Sequence, residues 1–170
     1  RALELDPKSG RALITLFLAQ IRAKKFDDAL ATAERVQVNR PDSPAGHTLA
    51  GIALMGGQDT TGARAAFEKA LEVRPGTPDA SANLAALELR EKKPDRAREL
   101  LMEALNRNPG HLGTLIRLAR LEDRFGDRKQ TRKWLEQAVE SDPDSVGAKV
   151  MLARIHIREG RPRDALEITR

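Results

Sequence analysis

The sequence predicts an all-α protein in which antiparallel helix pairs stack into an α-α superhelix. The first observation behind this prediction is the composition: only 3% of the 170 residues are aromatic, none is a tyrosine, and Ala, Leu, Arg and Glu dominate. Such a chain favours helices that pack closely through small side chains. The second observation is a period of 34 residues, marked by Pro7, Pro41, Pro75, Pro109 and Pro143. A fixed period of this length indicates a repeated structural unit.

Other columns of the sequence keep the same 34-residue step. They are small or apolar apart from one threonine: Leu16, Ala50, Leu84, Leu118 and Leu152; Ala29, Ala63, Ala97, Thr131 and Ala165; Ala2, Val36, Ala70, Ala104 and Ala138. Because one helix pair cannot bury its own apolar face, successive copies must stack to make a continuous core. The repeat therefore predicts a solenoid.

Each period contains two predicted helices of about three turns. In the third unit, residues 78–91 and residues 95–107 both carry apolar side chains at helical spacing. These side chains are Ala82, Ala85, Ala86 and Leu89 in the first helix and Ala97, Leu100, Leu101, Ala104 and Leu105 in the second. One apolar stripe on each helix is what an antiparallel pair needs in order to pack.

Capping residues mark where the first helices begin. Ser43, Thr77 and Ser145 are predicted N-caps, because their side chains can accept a hydrogen bond from a free N–H of the first turn. Pro44 and Pro78 occupy the first helical turn, where a missing N–H costs nothing.

Glycine and proline mark the remaining boundaries. Gly126 and Gly160 fall in the short turns inside the pairs, and Pro94 and Pro162 begin second helices. The recurring proline then ends each second helix, because its ring clashes with the helical carbonyl four residues back.

These boundaries divide the chain into units of one array, 1–170. Residues 1–9 are the end of a preceding repeat, residues 10–43, 44–77, 78–111 and 112–145 are full repeats, and residues 146–170 are a truncated fifth repeat. We see no polar capping helix, whereas a natural solenoid end normally hides its last apolar face. We therefore expect this array to be a segment of a longer one.

The repeat resembles the tetratricopeptide repeat, a helix-turn-helix unit of 34 residues, and "KALEVRP" and "RALELDP" are similar to its closing signature. The resemblance implies a right-handed superhelix whose concave surface comes mainly from the first helix of each pair. It also implies a small residue in the column Phe17, Gly51, Ala85, Ala119 and Ala153, so that paired helices can touch. Phe17 departs from this pattern, which counts against close packing of the first pair.

No constellation for catalysis or for a cofactor is apparent. The chain has no cysteine, and His47, His111 and His156 are far apart with no companion at metal-ligand spacing. The segment "MGGQDTTG", residues 55–62, lacks the lysine and helix context of a phosphate loop, so we interpret it as an inner turn. We expect a protein that is not an enzyme and that uses no cofactor, metal or small-molecule substrate.

The candidate site is the concave face, whose columns point away from the second helices. In the N-terminal repeats these columns are mostly apolar, and further on they are mostly basic. The candidate groove residues are Ile14, Leu18, Ile21, Thr48, Ile52, Met55, Asn83, Arg117, Arg120 and Arg154. Apolar contacts give area and arginines pair bidentately with carboxylates, so the expected partner is a protein or peptide with an apolar and an acidic segment.

Four arginines and one tryptophan have a simpler explanation than partner binding. Arg22, Arg90, Arg124 and Arg158 recur at the C-terminal ends of first helices, where the helix dipole favours a cation without any ligand. We interpret these four as structural, and Trp134 as an outer packing residue of a second helix.

Some tetratricopeptide proteins clamp a partner's C-terminal carboxylate with lysine, asparagine and arginine on consecutive first helices. Asn83 and Arg117 match two positions of that pattern, but Thr48 and Ile52 stand at the lysine and first asparagine positions. The resemblance therefore disfavours binding of chaperone tails.

Three functional hypotheses remain. The leading one is a non-catalytic scaffold that binds a peptide or partner surface in its groove. The second is a structural segment whose repeated faces drive assembly or end-to-end self-association. The third is nucleic-acid binding through the C-terminal arginines, which the mild net charge of +5 and the few aromatic residues disfavour.

A narrower resemblance concerns the cellular setting. "RPDSPAGHTLAGIAL" and "NPGHLGTLIRLARLE" are similar to the tetratricopeptide lipoproteins of bacterial exosortase protein-sorting and exopolysaccharide systems. That resemblance implies a bacterial protein of the cell envelope, anchored to the membrane through a segment outside this sequence. Without it, the sequence leaves the compartment unknown, and a cytoplasmic location is the default.

Overall fold

The structure is a computed structural model that describes residues 9–168. This part of the chain contains ten α-helices and no strand. The helices are α1 (Gly10–Arg22), α2 (Phe26–Asn39), α3 (Ala45–Gly56), α4 (Thr60–Val73), α5 (Pro78–Arg90), α6 (Pro94–Arg107), α7 (Leu112–Phe125), α8 (Arg128–Ser141), α9 (Val146–Arg158) and α10 (Pro162–Ile168). The tail that the sequence predicts for residues 1–9 lies almost wholly outside the described residues.

The helices pack in chain order, each against the one before and the one after. The odd-numbered helices are the first members of the pairs, the even-numbered helices are the second members, and α5 also touches α7 directly. The all-α solenoid predicted from the 34-residue period is confirmed. None of the described helices has the length and apolar character that crossing a bilayer requires.

Helix starts follow the predicted positions, but the capping bonds differ. Ser145 Oγ accepts from the N–H of Ala148 at 3.4 Å, as a cap should. The hydroxyl of Thr77 instead donates to the carbonyl of Arg74 at 2.8 Å, so the prediction of a capping bond from Thr77 is wrong. Ser43 Oγ accepts a hydrogen bond from the N–H of Ala45 at 3.3 Å, but Ser43 lies one residue before Pro44, which is the N-cap of α3.

The turn inside four of the five described pairs has a residue in the left-handed region. That position has φ between 58° and 73° at Lys24, Gln58, Lys92 and Gly160. At the equivalent Gly126, φ is −129°. Glycine adopts the left-handed region without strain, whereas a side chain there costs about 1–2 kcal/mol. Three of these turns therefore form because packing of the flanking helices outweighs this strain.

Large and small residues alternate across the interface within each pair. In the second pair, Gly51 of α3 lies against the ring of Phe67 of α4, and a Cβ at Gly51 would collide with that ring. In the fourth pair, Ala119 of α7 and Leu135 of α8 are fully buried in one cluster. A small residue on the first helix thus admits a large one from the second.

The first pair reverses this order. Phe17 of α1 is buried in one cluster with Ala33 of α2, which occupies the position of Phe67 and Leu135 in later pairs. The expectation that Phe17 would hinder close packing is therefore wrong. The large side chain sits on the first helix, and the second helix supplies the small one.

Successive pairs are joined by ion pairs that repeat with the period. Arg98 Nε of α6 donates to Glu122 of α7 at 2.6 Å, and the carboxylate of Glu122 is buried. This hydrogen bond raises the pKa of Arg98 above its ordinary value, although burial opposes the shift. Arg64 of α4 pairs in the same way with Glu88 of α5. One face of each of these second helices is thereby tied to the next first helix.

The first and fourth junctions between successive helix pairs use other side chains at these positions. At the fourth, His156 stands where Glu122 stands in α7, and Arg132 of α8 pairs with Glu159 at 2.7 Å. At the first, the arginine position is Leu30 and the glutamate position is Leu54, both partly buried against apolar clusters. Each junction therefore uses either a charged pair or two apolar residues. Trp134 packs on the clusters of α7, α8 and α9, which agrees with its predicted packing role.

Because Gly51 contacts Phe67, we expect replacement of Gly51 by alanine to destabilise the protein, which is unusual for a glycine within a helix. Replacing a helical glycine by alanine normally stabilises a protein by up to about 1 kcal/mol. We expect Gly51→Ala to lower the free energy of unfolding by about 1–3 kcal/mol, because the new methyl overpacks the ring. Chemical denaturation measures this change.

Gly147 of α9 is the matched control, since a Cβ there meets no atom within 4 Å. We expect Gly147→Ala to be neutral or stabilising. Equal effects of the two substitutions would contradict the close contact in the second pair.

Candidate partner-binding groove

Clefts between neighbouring first helices form the candidate site. Because the chain repeats every 34 residues, one helix lines the cleft with its positions 82, 86 and 89, and the next lines it with positions 117, 120 and 124. The second helix of the earlier pair supplies the floor. The repeat therefore places equivalent side chains in successive clefts.

The cleft between α5 and α7 is a cavity of about 200 Å³. Its α5 wall is apolar and includes Leu89, and Leu101 of α6 lies at its floor. Arg117 and Arg120 come from α7, as does Arg124, whose guanidinium lies 4.8 Å from the ring centre of Phe125. The cleft thus combines apolar walls with three guanidinium groups.

The cleft between α7 and α9 is larger, about 430 Å³, and its floor consists of Thr131 and Leu135 of α8. Arg154 lies in its wall beside apolar residues of α9. At its edge, Arg158 donates to Asp123 at 2.9 Å. Asp123 stands where Leu89 stands in the preceding cleft, and this exchange of a leucine for a shorter, charged side chain accompanies the larger volume.

The N-terminal candidates form an apolar strip on α1 and α3. Ile14 and Leu18 are among the exposed large apolar residues. Ile21, Ile52 and Met55 are half-buried, and they pack at the border of the core clusters. This part of the candidate face is mainly apolar, with Arg22 in the last turn of α1.

Two polar candidates differ from expectation. Thr48 is buried, and its hydroxyl donates to the carbonyl of Pro44 at 2.9 Å, so it offers almost no surface to a partner. We therefore remove Thr48 from the candidate groove. Asn83 is half-buried, and its Nδ2 donates to the carbonyl of Asp79 at 2.8 Å, which leaves its side-chain oxygen available as an acceptor.

The arginines that line the clefts, called the groove arginines below, differ in their partners from the arginines that join successive helix pairs. Arg117, Arg120 and Arg154 are exposed, and none of them makes an ion pair with any other residue of the range 9–168. Arg98 and Arg132, in contrast, are held by carboxylates of the following helix. Three uncompensated positive charges beside apolar walls attract carboxylates.

Arg124 was predicted to have only a structural role, but the structure also places it in a cleft. It lies in the last turn of α7, which agrees with the helix-dipole explanation, but it also lines the α5–α7 cleft. Its distance of four residues from Arg120 was the available signal, because residues four apart share a helix face. Between residues 9 and 168, no three His, Asp or Glu side chains lie close enough together to hold a metal ion.

If the groove arginines do not serve the fold, their removal should leave stability unchanged. We expect Arg117→Ala, Arg120→Ala and Arg154→Ala each to change the free energy of unfolding by less than about 0.5 kcal/mol, as is usual at exposed positions. Arg98→Ala should cost about 1–3 kcal/mol, because it leaves the buried carboxylate of Glu122 without its arginine. Urea denaturation of the four variants measures both effects, and similar costs would refute the distinction.

Comparison with known proteins places the chain in a family. The tetratricopeptide repeat model TPR_19 matches residues 1–51 and 54–111, and a second tetratricopeptide repeat model, TPR_16, matches residues 116–169. No curated protein sequence matches the chain.

Solved structures share the fold at low sequence identity. MamA of Desulfovibrio magneticus RS-1 is 21% identical, with a TM-score of 0.66, over 93% of this chain and 89% of that one. PilF of Pseudomonas aeruginosa is 15% identical, with a TM-score of 0.75, over 94% and 74%. YrrB, described as "a TPR protein with an unusual peptide-binding site", is 17% identical, with a TM-score of 0.60, over 98% and 86%. Together with the family matches, these likenesses show that the chain belongs to the tetratricopeptide repeat family and has its superhelical fold.

Proposed function

We propose that this protein is a non-catalytic scaffold that binds a peptide or a partner surface in its concave groove. The tetratricopeptide repeat family generally consists of such protein-interaction scaffolds. The observation that carries the proposal is the set of three exposed arginines, Arg117, Arg120 and Arg154, which line apolar clefts without an ion pair among the described residues. Charge left uncompensated beside apolar surface is suited to an acidic ligand.

The order of side chains along the groove defines the expected ligand. An apolar segment lies against Ile14, Leu18, Ile52 and neighbouring residues, and an acidic segment lies against the arginines of α7 and α9. Guanidinium groups pair bidentately with carboxylates, which adds direction to the attraction. Five first helices offer enough surface for the ~800 Å² per partner of a standard interface. The ligand is therefore an extended or helical peptide with one apolar and one acidic end.

Two other uses of the array make different predictions. Self-assembly through repeated faces predicts an apparent mass that rises with protein concentration. Nucleic-acid binding predicts an affinity that falls steeply with salt. The peptide proposal is favoured because the clefts carry apolar walls beside the arginines, and phosphate backbones make no use of such walls.

The proposed setting is a bacterial cell envelope, in protein sorting or exopolysaccharide export. Its support is the similarity of residues 40–54 and 108–122 to tetratricopeptide lipoproteins of those systems. Affinity capture from separated envelope and cytosolic extracts of the source cells tests it. An envelope partner that requires the groove arginines supports this setting, and a partner found only in the cytosolic extract contradicts it.

The groove is tested by selecting binders from a display library of random 16-residue peptides. We expect the selected peptides to be enriched in Asp and Glu next to an apolar segment. In a variant carrying Arg117→Glu, Arg120→Glu and Arg154→Glu, acidic enrichment should disappear and affinity for the original peptides should fall at least about tenfold, because attraction becomes repulsion.

The matched control makes the same charge change on second helices. Arg128, Lys129 and Arg163 are exposed residues of α8 and α10, and their replacement by Glu should leave the selected peptides unchanged. Circular dichroism checks that both variants stay folded. The same peptides from both variants, or no acidic enrichment at all, would refute the groove.

A further inference from the structure

The cleft between α7 and α9 differs in size from the preceding cleft of the groove. Its volume is about 430 Å³, whereas the cleft between α5 and α7 has about 200 Å³. An apolar cavity of ~150 Å³ is enough to hold one benzene ring. The α7–α9 cleft therefore has room for a larger ring system such as indole.

The lining of this cleft is mainly apolar. Leu135 of α8 and Ile155 of α9 are buried, and Met151 of α9 is partly buried. The flexible side chain of methionine adapts to irregular shapes, and its sulfur makes favourable contacts with aromatic rings. Met151 and Arg154 are three residues apart and so lie on the same side of α9. A ring in this cleft can therefore contact a thioether and a guanidinium group together.

Arg154 adds a cation that the fold does not neutralise. It is exposed, and it makes no ion pair with any other residue of the range 9–168. A guanidinium group is attracted to the face of an aromatic ring. The preceding cleft contains an example, since the guanidinium of Arg124 lies 4.8 Å from the ring centre of Phe125.

Asp123 makes the cleft unsuitable for a second carboxylate. It is the one charged residue of its column, which consists of Ile21, Met55, Leu89, Asp123 and Ile157. Its carboxylate accepts from Arg158 at 2.9 Å at the edge of the cleft, and its side chain remains 41% exposed. An acidic side chain that entered the cleft would lose its hydration against the apolar lining and would approach Asp123. An uncharged ring has neither cost.

We propose that the α7–α9 cleft holds an aromatic side chain of the ligand, which tryptophan fills best. This inference rests on the proposed function, because it assigns one anchor residue to the peptide in the groove. The ring lies on Leu135 and Ile155, with Met151 and Arg154 beside it. Acidic residues next to the anchor stay outside the cavity, where Arg120 of α7 pairs with them.

An aliphatic side chain fits this cleft less well. Leucine or valine fills less of the volume, and neither offers a π face to the guanidinium of Arg154. The sulfur of Met151 likewise gains less from an aliphatic group than from a ring. The anchor is therefore expected to be aromatic rather than simply apolar.

The first test fills the cleft from its own wall. Peptides are selected from the display library of random 16-residue peptides with the unmodified chain and with Met151→Trp, which supplies an indole at the lining of the cleft. We expect the unmodified chain to select peptides enriched in Trp or Phe close to Asp and Glu. The Met151→Trp variant should keep the acidic enrichment and lose the aromatic enrichment.

The matched control places the same ring in the other cleft. Ala86 is exposed and lines the cleft between α5 and α7, so Ala86→Trp adds an indole there without changing the charge. We expect this variant to keep the aromatic enrichment. Circular dichroism and urea denaturation check that both variants are folded.

The second test uses the unmodified chain, so it does not depend on the folding of a variant. A selected peptide is titrated while NMR follows the methyl signals of Leu135, Met151 and Ile155. The ring current of an inserted aromatic side chain should shift these signals. The same peptide with leucine in place of its aromatic residue should shift them much less and bind at least about fivefold more weakly.

The outcomes separate the anchor from the groove. Acidic enrichment without aromatic enrichment would overturn the anchor and leave the proposed function standing. Aromatic enrichment that persists unchanged in Met151→Trp would also overturn the anchor, as would equal methyl shifts and affinities for the two peptides. Selection without acidic enrichment would refute the groove itself and, with it, the anchor.

Discussion

The structure depends on matched volumes across each helix pair. Two helices can approach closely only if a large side chain on one meets a small residue on the other, because protein interiors are packed as densely as organic crystals. Gly51 with Phe67 and Ala119 with Leu135 satisfy this condition with the large residue on the second helix. Phe17 with Ala33 satisfies it with the order reversed. The superhelix follows from repeating such pairs.

Arginines occupy two different kinds of position in this superhelix. The arginines on second helices, such as Arg98, reach the next first helix and are neutralised by a carboxylate such as Glu122. The arginines on the concave side of α7 and α9, such as Arg120 and Arg154, line clefts and meet no carboxylate of the described chain. The same residue type therefore joins neighbouring pairs at one position and has no carboxylate partner within the described chain at another.

The fold was predictable from sequence because the information is repeated. Each column appears several times, so the period located the helices and the position of the turns despite changes such as Thr131 in an alanine column. Features that depend on two columns at once were harder to predict. The packing of Phe17 depends on the small residue at Ala33, which the column of Phe17 alone does not reveal. Burial of Thr48 and the larger α7–α9 cleft also depend on neighbours, since Asp123 in place of leucine changes that cleft.

A double-mutant cycle that exchanges Phe17 and Ala33 tests volume matching most directly. Phe17→Ala alone removes a buried ring and should cost about 3–5 kcal/mol, and Ala33→Phe alone should cost about 1–3 kcal/mol through overpacking. The double variant recreates the order of Gly51 and Phe67 in the second pair. We expect its free energy of unfolding to exceed the additive value by about 2 kcal/mol or more. Additive losses would mean that the helix pairs are held together without matched volumes.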